Sequence, residues 1–186
     1  MDYKELVKNC LKGKAEAQKD LYNHFAASMF GICYRYTKSV TDAEDVLQEG
    51  FVKVFRSLHH YRSEGELGAW IHRIMVNTAL NYLKQHKRYS SELSYEEDHL
   101  HPVSADHPMI NLQAKELADL IRQLPTGCQT IFNLHAVEGY THVEIGHMLG
   151  IHTGTSRSQY ARARGMMITW IEKRNEHVKQ QRYAGK

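Results

Sequence analysis

All three prolines of the chain, Pro102, Pro108 and Pro125, fall between residues 102 and 125. The first hundred residues therefore lack the residue that both removes a helical N–H and clashes with the preceding turn, and they are free to form long helices. Helix starts are legible where Ser or Thr is followed three residues later by Glu or Gln, a pairing that satisfies two orphan backbone donors reciprocally. Four places fit: Thr41 with Glu44, Ser63 with Glu66, Thr126 with Gln129, and Thr141 with Glu144. After Thr41, the residues Leu47, Phe51, Val54, Phe55 and Leu58 recur at helical spacing, with Glu44, Asp45, Gln48, Glu49 and Lys53 on the polar side. After Ser63, a helix reaching about Lys87 places Leu67, Trp70, Ile71, Ile74 and Thr78 on one side. The start at Thr126 leads through Ile131, Phe132, Leu134 and His135 to a stop near Gly139, and the start at Thr141 through Ile145, Met148 and Leu149 to a stop at Gly150. Further helices are expected over roughly 2–12, 15–37 and 108–124, and a long one from about Thr153 to Lys179, whereas alternating strand patterns and Asn-Gly hairpin signals are absent. An all-α protein is expected.

Between Glu92 and Asp106 the chain has five acids, no Lys or Arg, and no sustained period. This reads as a flexible acidic linker over 91–107, separating a helical domain at 1–90 from a second at 108–186. The division changes the meaning of the charge. The net charge of +3 is bland, but residues 1–91 hold 14 basic and 10 acidic side chains, residues 107–152 hold 2 and 4, and residues 153–186 hold 8 and 2. Basic charge is densest at the C-terminal end. With 42% hydrophobic and 24% charged residues, the composition excludes collagen-like and wholly disordered chains. Cys10, Cys33 and Cys128 stand far apart without CxxC spacing, which suits buried thiols in a reducing compartment. The N-terminus lacks the order of a secretory signal and no window has the apolar length of a membrane helix, so a cytoplasmic protein without membrane insertion is expected.

The segment from Thr141 to Leu149, a tight connection at Gly150-Ile151-His152, and a helix capped by Thr153 together have helix-turn-helix geometry, whose second helix enters the major groove of DNA. On that second helix Ser156, Tyr160, Ala163 and Met167 share the inward face, and Gly154, Arg157, Ser158, Ala161 and Arg162 point outward. Arg157 and Arg162 suit guanine edges or phosphates, Thr155 and Ser158 suit either, and small residues at 154 and 161 permit close approach. In the N-terminal half, Arg73, Asn77, Asn81 and Lys84 form a polar helix side followed by Lys87 and Arg88, next to the loop Leu58-His59-His60-Tyr61-Arg62-Ser63. Amides, aromatics and cations together suit single-stranded or distorted nucleic acid.

Catalytic patterns are weak. Thirteen histidines invite a metal, but His142 and His147 stand five apart and diverge around a helix, so the zincin arrangement fails. There is no phosphate-binding Gly-rich loop or nucleophile elbow. Neither an enzyme, a metal nor a cofactor is expected.

The segments Asp42 to Phe55 (DAEDVLQEGFVKVF) and Trp70 to Lys84 (WIHRIMVNTALNYLK) resemble the second conserved region of bacterial extracytoplasmic-function (ECF) sigma factors, and Val137 to Thr141, Glu144 to Gly146, Leu149 to Ile151 and Gly154 to Arg164 resemble their fourth region. The likeness runs in order from about residue 5 to 175. It implies a subunit that binds core RNA polymerase, through the β′ clamp and the β flap, and directs it to promoter DNA, with room for an anti-sigma factor as a further partner. Carried over residue by residue, Asp45, Gln48 and Glu49 would dock on the β′ clamp. Tyr61, Arg62, Ser63 and Glu64 of the loop, with Asn77, Asn81, Lys84 and Arg88, would hold open the −10 element and capture a flipped base. Thr155, Arg157, Ser158 and Arg162 would read the −35 element as duplex. The resemblance also implies that the acidic linker could mimic nucleic acid along a basic channel of the polymerase. Many members have Val, Arg and Leu where this chain has Ser156, Gln159 and Tyr160, so its −35 specificity is its own. The competing expectation from the helix-turn-helix alone is a conventional dimeric regulator of duplex operators.

Overall fold

The computed structural model describes the backbone of residues 2–92 and 112–184 and the side chains of residues 2–86 and 115–175. Among the described residues every regular element is helical: α1 (Tyr3–Leu11), α2 (Ala15–Tyr36), α3 (Val40–Ser57), a 3-10 turn (Leu58–His60), α4 (Leu67–Glu92), α5 (Leu112–Arg122), α6 (Thr126–Phe132), a π turn (Asn133–Val137), α7 (His142–Leu149) and α8 (Thr153–Ala184). The expected all-α fold is the one adopted. Nearly all of the expected linker lies outside the described residues, as does the side chain of Arg88. The chain divides into two compact units, Met1–Lys115 and Glu116–Lys186.

In the first unit, α2, α3 and α4 pack on one another and α1 lies against α2. Their inner faces bury Leu21, Phe30 and Cys33 from α2, Val46, Leu47, Phe51 and Val54 from α3, and Ile71, Met75, Val76 and Ala79 from α4. Each large side chain so removed from water is worth about 1.5–3 kcal/mol before conformational entropy is counted. Gly50 marks the crossing of α3 and α4: a Cβ there would run into the buried Met75 thioether. Trp70 and Ile74, expected on the inner face, are only half-buried, because that face turns through Ile71, Met75 and Thr78 instead. Burial pushes the Cys33 thiol up to about 12, and all three cysteines are free and buried. They act as small apolar side chains.

The second unit is built round Ile121 of α5, Leu124 of the turn after it, Cys128 of α6, and Ala163 and Met167 of α8, with Phe132 and Trp170 packed at its edge. α8 also runs past the expected end near Lys179 to Ala184.

Of the four expected capping boxes, the one at Thr141 forms in full: Thr141 Oγ1 accepts from Glu144 N at 3.3 Å, and Thr141 N donates to Glu144 Oε2 at 2.8 Å. The other three starts are corrected. α3 starts two residues early, with Ser39 accepting from Asp42 N at 3.0 Å. The buried Thr37 hydroxyl ties off α2 on Cys33 O, so the chain turns at Lys38-Ser39 and Thr41 is already helical. Ser63 has φ 58°, a left-handed conformation that cannot serve as the extended cap residue, and α4 begins only at Leu67. At α6 the cap position belongs to Pro125, whose carbonyl accepts from Gln129 N at 2.8 Å, while the Gln129 side chain is buried. Thr153 likewise is the first helical residue of α8, and the cap contact comes from His152, whose Nδ1 accepts from Gly154 N at 3.0 Å.

Candidate nucleic-acid and polymerase interfaces

The connection between α7 and α8 is three residues long, and two glycines make it so short. Gly150 takes φ 67°, the left-handed conformation that ends α7 without a Cβ penalty. Gly146, one turn earlier, accepts from Ile151 N at 3.0 Å, and a Cβ on it would stand 2.9 Å from Ile151 O. The two helices therefore meet at backbone distance.

This junction fixes which face of α8 is outward. Ser156, Ala163 and Met167 are buried and Tyr160 is half-buried, as the helical wheel predicts. Thr155, Arg157, Ser158 and Arg162 are exposed, as are the small residues Gly154 and Ala161 and the further cation Arg164. Gln159 is no member of that face: its Oε1 accepts from the Cys128 thiol at 2.9 Å, across α6 and α8. A residue that stands in for a familiar cation here serves the core.

Sequence reasoning missed a second cluster at the same junction. α6 opens into a π turn closed by Glu138 N on Asn133 O at 2.9 Å, and this places His135 against α7 and α8. Its ring stacks on His142 with centroids 4.1 Å apart and meets Tyr160 edge-on at 4.6 Å. His142 Nδ1 lies 2.9 Å from the buried Ser156 Oγ. Of the two histidines weighed as metal ligands, His142 and His147, only His142 belongs to this cluster, and among the described residues no group of three or more His, Cys, Asp or Glu could hold a metal ion.

In the first unit, Asn77, Asn81 and Lys84 are exposed along one stripe of α4 with Arg73. The loop before α4 is shaped by Tyr61, whose hydroxyl donates to Gly65 O at 2.5 Å and whose ring lies 5.5 Å from that of Trp70. Arg62, Ser63 and Glu64 are exposed at the loop tip, where the left-handed Ser63 reverses the chain. On α3, Asp45, Gln48 and Glu49 are exposed together. Glu49 pairs with Lys53 at 2.6 Å, an exposed i,i+4 pair worth well under about 1 kcal/mol that a docking partner can displace. Asp42 and Asp45 border Tyr82 of α4, whose hydroxyl is pushed up by burial first, then by its hydrogen bond to Asp42 and by the charges of both acids. The described members of the three groups of expected site residues thus sit on an amide and cation stripe beside an aromatic loop, on an acidic face of α3, and on a basic outward face of α8.

Residues 21–89 match the Sigma-70 region 2 family and residues 114–167 the Sigma-70 region 4 family. The ECF RNA polymerase sigma-E factor of Haemophilus influenzae is 32% identical over 178 residues, covering 90% of this chain and 94% of that protein. The RNA polymerase sigma-H factor of Pseudomonas aeruginosa is 28% identical over 171 residues, covering 86% of this chain and 89% of that protein. The sigma factor RpoE of Bartonella quintana, solved in complex with the anti-sigma factor NepR, shares the fold with a TM-score of 0.52 at 18% identity, over 83% of this chain and 96% of that one. Two sigma-70 regions in order, each on its own helical unit, together with a relative of this identity along nearly the whole length, place the chain: it belongs to the ECF RNA polymerase sigma factors, initiation factors of transcription.

Proposed function

We propose that the chain binds core RNA polymerase through the acidic face of α3, opens the −10 element with α4 and its preceding loop, and reads the −35 element as duplex with α8. The observation that carries this reading is the difference between the two DNA-facing surfaces. The α4 stripe presents amides and cations beside an aromatic loop, which suit unstacked bases, and the α8 face presents arginines flanked by small residues, which suit a major groove. Flipping a base costs a few kcal/mol of unstacking, so a loop that captures it couples sequence readout to strand opening. Tyr61, whose ring lies 5.5 Å from that of Trp70, together with Arg62 and Ser63 forms the capture loop in this reading. Asn77, Asn81, Lys84 and Arg88 hold the strand, Asp45, Gln48 and Glu49 meet the β′ clamp, and Thr155, Arg157, Ser158 and Arg162 meet the −35 duplex. The second unit also contacts the β flap, an anti-sigma factor is the natural antagonist, and the factor works in the cytoplasm without chemistry of its own. Among the described residues no helix is long and apolar enough to cross a membrane.

The experiment is a comparison of Arg157→Ala and Arg162→Ala holoenzymes on one promoter with an intact or scrambled −35 element. Both side chains are exposed, so folding is spared. Each substitution is expected to cost about 1–3 kcal/mol of −35-dependent initiation if its contact is bidentate to a base. Initiation that is unchanged in both variants would refute the assignment of α8.

A further inference from the structure

His142 is the only described side chain of α7 hydrogen-bonded to the recognition helix α8: its Nδ1 lies 2.9 Å from Ser156 Oγ, and Ser156 is fully buried at the junction. His135 closes the other side. Its Nδ1 is 2.8 Å from Tyr140 O, and because a carbonyl only accepts, that nitrogen carries the proton and the ring is fixed in orientation. The His142 ring stacks on the His135 ring, which meets Tyr160 of α8 edge-on, and the His142 and Tyr160 centroids are 5.7 Å apart. We propose that His142 is a positioning residue for −35 recognition, a pin that holds α8 against α7 while its imidazole is neutral and loosens when the imidazole is protonated. The proposal rests on the reading of α8 as the −35 helix.

Two neighbours disfavour a positive charge on the ring, His135 from the π turn and Arg157 from α8, and the Tyr160 ring of α8 lies beside it. On α7 itself, the Glu144 carboxylate is engaged by Thr141 at the helix start, which holds it below the usual carboxylate range. Burial first, then His135 and Arg157, keep the His142 imidazole below its ordinary value of 6.5. A group whose pKa is lowered on docking takes up protons preferentially in the undocked state. The pin is therefore fully in place above 6.5 and is lost as pH falls below that value.

The test uses the full chain, free and as holoenzyme. In an NMR titration of the free chain, the His142 ring is expected to titrate below the ordinary imidazole value, and Ser156→Ala, which removes the hydroxyl that ties the ring to α8, is expected to move that midpoint up toward the ordinary value. In transcription, the ratio of initiation from an intact to a scrambled −35 element is expected to fall about threefold between pH 7.5 and 6.0 in the wild type. The ratio is expected to stay flat in His142→Gln, whose amide is polar and does not titrate. A midpoint at the ordinary value that Ser156→Ala leaves in place overturns the proposal, as does a pH response equal in the wild type and His142→Gln. The NMR arm involves no DNA, so its failure overturns the pin and leaves the −35 reading intact. A ratio showing no −35 dependence at any pH in either protein overturns both.

Discussion

Alanine at both Asn77 and Asn81 is expected to slow open-complex formation about 30-fold, the equivalent of two amide contacts to bases at the weak end of their 1–3 kcal/mol range. Assembly with core polymerase is expected to be unaffected, because the acidic face of α3 proposed to dock on it is a different surface. The effect cannot be ascribed to misfolding: both asparagines are exposed on α4, and alanine has the higher helix propensity, so the double variant is at least as stable as the wild type. Fluorescence from a base analogue in the −10 element checks the rate directly. An unchanged rate with normal assembly removes the α4 stripe from strand opening and leaves the aromatic loop to account for it.

The second large effect comes from one glycine. Valine at Gly146 directs a branched side chain at Ile151 O, where even a Cβ would stand 2.9 Å away, and the obstacle is backbone that cannot rotate aside. Overpacking of this kind costs about 3 kcal/mol, at the upper end of its usual range. The junction of α7 and α8 is expected to open, abolishing −35-dependent initiation and destabilising the second unit alone. The two tryptophans separate the units, since Trp70 lies in the first and Trp170 packs on the core of the second. Urea unfolding followed by Trp170 fluorescence in a Trp70→Phe background is expected to shift to lower denaturant, while the Trp70 signal in a Trp170→Phe background keeps its midpoint. Gly165→Ala is the control, because its Cβ meets nothing within 4 Å. Equal shifts in both signals would show that the damage is not local to the junction.

Much of this arrangement can be read from residue order alone. The wheel from Ser156 places the inward and outward faces of α8 correctly, because burial of Ala163 and Met167 follows directly from helical period. Gly150 marks the turn because few other residues tolerate its φ, and the Thr141 capping box forms because both partners face water at a free helix start. The remaining caps were misplaced for a common reason. A Ser or Thr three residues before Glu or Gln caps only where the backbone is extended, and tertiary structure decides that: the three residues between Tyr36 and Val40 put the bend at Ser39, and the left-handed Ser63 excludes itself. The π turn, and with it the meeting of His135, His142 and Ser156, leaves no periodic trace, because an extra residue in a turn is imposed by the packing of α6 on α8. Trp70 was misjudged in the same way: its hydrophobicity suggests core, yet Tyr61 in the loop holds it at the edge.

The central claim is that one chain gives core polymerase its promoter preference through two separate DNA surfaces. The most direct measurement is run-off transcription on genomic fragments by core polymerase with and without the full chain. The expected result is a set of transcripts that appear only when the chain is present and are lost when either the −35 or the −10 element of their promoters is scrambled. The contradictory result is an identical transcript set with and without the chain, together with tight binding of the chain alone to a palindromic duplex, which is the behaviour of a conventional dimeric regulator.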